Sequence, residues 1–259
     1  MSLALITGAS SGIGRELARI HAEASGDLVL VARSEGKLNA LKNELEAAHG
    51  IAAHVIAMDL TEEDAPQRLF DEVHARGLTV DHLVNNAGFG GVGRFHERDW
   101  AADRAMIQLN VVALAALCRL FLPEMVARGS GRVLNVSSTA SLLPGPMQAV
   151  YYATKAFVTS FSNAVHEELR GTGVTVTALL PGATETDFGK VSGMDKTELF
   201  DQTASARSVA QDGYDAMLAG KLEVISGLTL PQRIMMAAVP VTPKSVLLKQ
   251  VHAMQQPKG

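Results

Sequence analysis

The feature that most restricts the fold of this chain is a regular alternation of short β-branched and aliphatic runs with longer segments of helical spacing. The runs are LALIT at 3–7, LVLVA at 28–32, AHVIAM at 53–58, HLVN at 82–85, RVLNV at 132–136, VTVTALL at 174–180 and LEVIS at 222–226. Between them stand Ala/Leu/Glu/Arg-rich stretches such as RELARIHAEA at 15–24 and KLNALKNELEAA at 37–48. Strand–helix alternation requires parallel strands joined by crossover helices, and strands that are apolar along their whole length need both faces covered. No linker-like segment or repeat interrupts the rhythm. The expectation is a single doubly wound α/β domain with a central parallel sheet of about seven strands.

Composition supports a large core. Of 259 residues 47% are hydrophobic and the mean hydropathy is +0.14, which excludes an intrinsically disordered chain. A net charge of −4 with mixed signs offers no footprint for nucleic acid, so a small-molecule partner is expected. The lone Cys118 lies in the apolar run VVALAALCRLF and reads as a core thiol. HEELR at 166–170 begins like a zinc-binding helix but carries Arg170 where the second ligand should stand, so no metal is expected. MSLALITGAS at the N-terminus reads as a first strand and not as a leader, and no apolar run reaches the ~18 residues of a membrane span. The expected location is cytoplasmic.

Two regions break the rhythm. Residues 183–206 form a long polar connection with Gly189 and Gly193, the kind of segment that often closes over a substrate. The end, 228–259, carries IMMAAVPV and then TPKSVLLKQVHAM. There Thr242 and Pro243 are read as N-cap and first helical residue, with Leu247, Val251 and Met254 on one stripe. That stripe must cover a substrate pocket, a partner subunit or lipid, the first two being favoured.

The first strand runs into TGASSGIGRELA, which sets Gly8, Gly12 and Gly14 at the mouth of a helix. Glycines there let the backbone turn sharply and approach a pyrophosphate, whose charge the helix N-terminus meets. The acidic residue that would bind a ribose 2′-hydroxyl after strand 2 is missing, and Arg33 and Ser34 stand there instead. A guanidinium and a hydroxyl suit a 2′-phosphate, with Lys37 one turn later, so NADP(H) is favoured over NAD(H). In YYATKAF at 151–157, helical geometry brings both Tyr151 and Tyr152 to the face of Lys155 and does not choose between them.

At these residues the chain resembles the short-chain dehydrogenase/reductase family. TGASSGIG at 7–14, NNAG at 85–88, NVSS at 135–138, YYATK at 151–155 and PGATET at 181–186 are similar to its motifs in order and spacing, and the likeness covers roughly 3–227. The resemblance implies a Rossmann-type domain over 1–227 that binds NADP(H), with 183–206 as its substrate loop and 228–259 as an extension. It implies an oxidoreductase interconverting a carbonyl and an alcohol by hydride transfer. Tyr151, four residues before Lys155 and 13 after Ser138, becomes the acid and base, Ser138 the partner of the substrate oxygen, and Asn110 the holder of a water beside the lysine. A nearby cation would lower the phenol's pKa towards a useful range.

The same resemblance gives cofactor contacts at Gly8, Ser10, Ser11, Gly12, Ile13 and Gly14. It adds Asp59 and Leu60 near the adenine, and Asn85, Ala87 and Gly88 along the crevice. Asn86 is as well suited to tying the sheet together. Tyr151, Lys155, Pro181, Gly182, Thr184 and Thr186 complete the nicotinamide side, with Thr186 able to bond a carboxamide. Phe89, Leu142, Leu143, Met147 and Phe188 are the pocket candidates, which favours an apolar ketone, aldehyde or alcohol of medium size. A homo-oligomer, dimer or tetramer, is implied, with Phe157, Phe161 and Val165 as core or subunit contact; the long tail departs from the family's usual ending. The alternative from another class is a non-catalytic NADP(H)-binding sensor or interaction module.

Overall fold

The computed structural model describes residues 1–194 and 203–255, so part of the expected substrate loop and the last residues of the extension lie outside the described residues. In chain order the elements begin with β1 (Leu3–Thr7), α1 (Gly12–Glu23), β2 (Asp27–Ala32), α2 (Glu35–His49), β3 (Ala53–Ala57), α3 (Ala65–Ala75) and β4 (His82–Asn85). The middle of the chain forms α4 (Trp100–Ile107), α5 (Leu114–Arg128), β5 (Gly131–Val136), α6 (Ala149–Glu168) and β6 (Val174–Pro181). Then come β7 (Thr184–Glu185), α7 (Phe188–Ser192), β8 (Ala204–Ser205), α8 (Ala206–Leu218), β9 (Glu223–Ser226), α9 (Leu230–Ala238) and α10 (Lys244–Met254).

Seven strands pair in the order β3-β2-β1-β4-β5-β6-β9, every neighbour parallel. Each of the seven apolar runs is one of these strands. Successive residues of β1 feed opposite faces: Ala4 and Ile6 join the core under α1, α2 and α8, while Leu3 and Leu5 join the core under α3, α5 and α6. The strand order reverses between β1 and β4, which opens a crevice at their carboxyl ends, where ligands bind in sheets of this kind.

Trp100–Arg128 is one continuous helical stretch of 29 residues, apolar enough by length and composition to cross a membrane. No uninterrupted apolar run in it reaches the ~18 residues of a membrane span, because Gln108, Asn110 and Arg119 break the sequence. Its apolar side has a cover within the domain: Leu114, Leu117, Cys118, Phe121 and Met125 are buried against Leu83 and Val133 of the sheet.

In the extension, α9 starts from a capping box, Thr229 N donating to Gln232 Oε1 at 2.9 Å. The start of α10 lies later than expected. Pro243 occupies the N-cap position, and the Thr242 hydroxyl donates backwards to Ala238 O at 2.8 Å, closing the preceding turn instead of opening the next helix. The stripe itself holds: Leu247 and Val251 are buried, and Met254 packs against the cluster that contains Tyr151 and Tyr152. At the neck of the long connection after β6, β7 and β8 pair in parallel, Thr184 opposite Ala204.

The turn from β1 to α1 depends on close backbone approach. Gly8 and Gly12 have φ of +67° and +54°, in the left-handed region that glycine adopts without strain. A Cβ on Gly14 would sit 2.4 Å from Gly8 O, a backbone atom that cannot yield. Gly14→Ala should therefore lower the unfolding free energy by about 1–3 kcal/mol in urea titration. Gly36→Ala, whose added Cβ meets nothing within 4 Å, should stabilise or leave it unchanged, by at most about 1 kcal/mol; equal effects at the two sites would refute the packing argument.

Candidate active site

β5 ends at Val136, and the two serines that follow are divided by their partners. Ser137 Oγ donates to Lys155 O at 2.9 Å and pairs with Thr159 Oγ1 at 2.7 Å, so it is a buried strap between β5 and α6. Ser138 Oγ accepts from Ala140 N at 3.1 Å, donates towards Pro181 O at 3.4 Å and lies near enough to the Tyr151 phenol to oppose the rise in its pKa. On α6, Tyr151, Tyr152 and Lys155 lie on the buried face. Lys155 Nζ donates to Val136 O at 2.8 Å and stands 5.9 Å from the centre of the Tyr151 ring. Ser138, Tyr151 and Lys155 are thus brought together at the carboxyl end of the sheet.

Asn110 sits in a π-helical turn, Gln108–Ala113, between α4 and α5. Such insertions are rare and mark functional positions, because they turn one side chain out of register. Its amide accepts from Phe89 N at 3.2 Å, donates to Phe89 O at 3.0 Å and donates to Thr154 Oγ1 at 3.1 Å. Thr154 in turn donates to Tyr151 O at 2.7 Å, so Asn110 clamps the segment after β4 to α6. A Cβ on Gly88 would lie 3.0 Å from Asn110 Oδ1 and 3.6 Å from Lys155 Nζ, which sets Gly88 against both.

The glycine turn is tied to β4 by Thr7 and Asn86. Thr7 Oγ1 accepts from Asn86 N and Ala87 N, both at 3.0 Å, and Asn86 Nδ2 donates to Thr7 O at 2.9 Å and Gly8 O at 3.2 Å. Ser11 is the N-cap residue of α1 but makes no side-chain cap. Ser10, Ser11 and Ile13 are half-buried around the helix mouth. The Thr186 methyl stands where a side chain on Gly12 would go, 2.8 Å from that Cβ, so the segment after β6 reaches the cradle. A glycine-lined turn whose helix amides lack a side-chain cap fits a dinucleotide pyrophosphate.

The family described as short chain dehydrogenase matches residues 2–197. The chain belongs to the short-chain dehydrogenase family. Among its relatives, a short chain dehydrogenase of Pseudocercospora fijiensis is 38% identical over 188 residues, 72% of this chain and 60% of that protein. The human very-long-chain 3-oxoacyl-CoA reductase is 33% identical over 198 residues, 73% of this chain and 61% of that protein. The chain therefore matches about three fifths of the length of these two relatives. A solved short-chain dehydrogenase from Sphingobium yanoikuyae in complex with NADPH superposes with a TM-score of 0.84 at 30% identity, covering 95% of both chains.

In this short-chain dehydrogenase, the residues expected along the cofactor crevice have distinct surroundings. The Asn85 side chain turns into the core, donating to Asn135 Oδ1 at 2.9 Å and Cys118 Sγ at 3.3 Å, and Asn135 donates on to Ser162 Oγ. Only its backbone borders the crevice, because residues alternate faces along a strand. Leu60 is buried in the core beside Asp59, which accepts from Thr61 N and Oγ1. Arg33 is exposed with a nitrogen 3.8 Å from Asp59 Oδ2, and Ser34 is exposed beside it. Thr184 donates to Gly182 O at 2.9 Å, and Thr186 Oγ1 accepts from Phe188 N at 3.2 Å. Among the described residues no group of three or more His, Cys, Asp or Glu could hold a metal ion.

Pocket candidates separate into two sets. Phe89, Leu143 and Phe188 gather around Met106, Ala140, Tyr151 and Tyr152, with the Phe188 ring 5.5 Å from that of Tyr151. Leu142 walls a cleft of about 610 Å³ beside Tyr152 and Leu248, which Leu143 also lines. Met147 adopts a left-handed backbone, φ 66°, and its carbonyl accepts from Gly93 N. The sequence reading missed Thr154 and Gln255. Thr154 is one of several hydroxyl residues on α6, and Gln255 contacts Tyr152 across 103 positions, which no local pattern reveals.

Electrostatics reverse one expectation. Burial pushes the Tyr151 phenol up to about 12, with the Ser138 hydrogen bond opposing it, and pushes Lys155 down to about 8. Among the chain's own groups desolvation outweighs any lowering by the lysine, whose proton is directed at Val136 O. Burial favours neutral Lys155, so between about 8 and the ordinary 10.5 the unfolded chain holds the extra proton. The stability difference between wild type and Lys155→Met should therefore be flat below that window and move in favour of wild type as pH rises through it. Urea titrations from about pH 7 to 10 check this; a pH-independent difference would contradict the burial argument.

Proposed function

We propose that the protein is an NADP(H)-dependent oxidoreductase that interconverts a carbonyl and an alcohol, with Tyr151 as general acid and base. The observation that carries this reading is the convergence of Ser138, Tyr151 and Lys155 beside the crevice at the strand-order reversal. The nicotinamide, when bound, supplies the hydride. Tyr151 gives its phenolic proton to the carbonyl oxygen, and Ser138 donates a hydrogen bond to the same oxygen. Lys155 and Asn110 hold the catalytic helix and the segment after β4 in place. A phenol held near 12 is protonated at neutral pH, which suits the donor role and so the reductive direction.

Exposed Arg33, backed by Ser34 and Lys37, is the reader of a 2′-phosphate in this proposal, and the NADPH complex of the Sphingobium relative supports that choice. The apolar lining of Phe89, Leu143 and Phe188 supports a medium-sized hydrophobic substrate, in keeping with the long acyl chain named for the human relative. We include in the proposal a cytoplasmic homo-oligomer. Phe157 is exposed on α6 and stacks on Phe161 with ring centres 5.6 Å apart, an apolar face for self-association.

NADPH oxidation over a panel of aldehydes, diketones and steroid-like ketones tests the activity. Tyr151→Phe should lower kcat by a factor on the order of 10²–10⁴ while NADPH still binds, whereas Tyr152→Phe should keep at least roughly a tenth of kcat. The reverse order would overturn the assignment, and silence of wild type across the panel with NADPH bound would favour a non-catalytic sensor. Arg33→Ala should weaken NADPH binding by about tenfold or more and leave NADH binding near wild type; an unchanged preference would remove Arg33 as the phosphate reader.

A further inference from the structure

The extension ends on the substrate side of the molecule. Val251 is buried in the cluster of Met106, Ala140, Tyr151 and Tyr152, and Met254 packs against it with Phe89, Leu143 and Phe188. Between these apolar contacts lies one polar one. Gln255, the C-cap residue of α10, is fully buried and donates from Nε2 to the Tyr152 hydroxyl at 2.6 Å. Its Oε1 is buried without a partner. A buried amide with one unmet acceptor costs stability, so its retention needs a compensating role.

We propose that Gln255 is a positioning and specificity-determining residue: by bonding Tyr152 it locks α10 down as the outer wall of the substrate chamber and sets the size of carbonyl compound that reaches Tyr151. The inference rests on the oxidoreductase reading for its substrate and on the fold alone for the docking. Phe188 touches Tyr151 from one side, and Val251 and Met254 close the same cluster from another. Tyr152 joins the two, its ring 6.1 Å from that of Tyr151 and its hydroxyl on Gln255. Among the described residues, loss of the bond leaves α10 held by buried Leu247 and Val251, by Met254 and by the Gln250 amide on Met235 Sδ of α9, a helix none of whose residues is buried.

The test uses the full-length chain with NADPH, comparing wild type, Gln255→Leu, Tyr152→Phe and the double variant. Hydrogen exchange reads docking without any substrate. The amides of α10 should exchange faster in each single variant, and no faster again in the double, because both remove one bond. Steady-state reduction of 2-butanone and of benzophenone reads the wall. KM for the compact ketone should rise by about fivefold to tenfold, and the benzophenone to butanone ratio of kcat/KM should shift towards the bulky ketone, with NADPH affinity unchanged. A merely space-filling Gln255 predicts the opposite for Gln255→Leu, which keeps the volume and removes the orphan Oε1: unchanged exchange and unchanged selectivity. That result, or additive exchange effects in the double variant, would overturn the proposal. If wild type reduces neither ketone but α10 loosens non-additively, the oxidoreductase reading fails and the latch stands.

Discussion

One buried ammonium organises the functional end of this molecule. Lys155 Nζ donates to the last carbonyl of β5, Val136 O, while the Lys155 carbonyl accepts from Ser137, the residue that follows that strand. Helix and strand are therefore joined in both directions through a single residue pair of turns. An ammonium taken out of water must be hydrogen-bonded or neutralised, and here the partner is a backbone atom that cannot move without moving the sheet. The position of Tyr151, one turn earlier on α6, and of Ser138, one residue past Ser137, follows from that junction.

The same economy operates across the crevice. Thr7 and Asn86 join the glycine turn to the end of β4, so the two strands that flank the reversal are coupled where a dinucleotide would cross them. From β4 the linkage continues through Asn110, which grips Phe89 at both backbone atoms and reaches Thr154 on α6. Glycine supplies the remaining condition. At Gly8, Gly14 and Gly88 a Cβ would meet Asn86, the Gly8 carbonyl or Asn110, so the hydrogen-bonded network and the close backbone approach require one another.

Much of this was legible in the sequence because it is local or periodic. The seven apolar runs and the glycine turn are short-range patterns that strand and helix geometry convert into positions, whereas the choice of Ser138 and Tyr151 over their neighbours comes from the family resemblance. What escaped depends on tertiary contact. The partners of the Asn85 side chain, Asn135 and Cys118, lie 50 and 33 positions away and leave no local signal. Thr242 carries a good N-cap side chain, but the preceding turn of the chain claims its hydroxyl first. The length of the apolar helix Trp100–Arg128 was hidden because charged and polar residues such as Asp103 and Arg104 interrupt the run while leaving the helix unbroken.

The two adjacent tyrosines show how far partners, and not intrinsic chemistry, decide a role. Both phenols are buried, and burial raises the pKa of each. Helical spacing alone puts both near Lys155. They part at their hydroxyls: Tyr151 meets Ser138, whose hydroxyl can give and accept a hydrogen bond, at the mouth of the crevice. Tyr152 meets the Gln255 amide, which donates to its oxygen at 2.6 Å, while the residue also lines the cleft beside Leu142 and Leu248. The two neighbours therefore differ in what their hydroxyls face, and that difference is set by the strand end on one side and the C-terminal helix on the other.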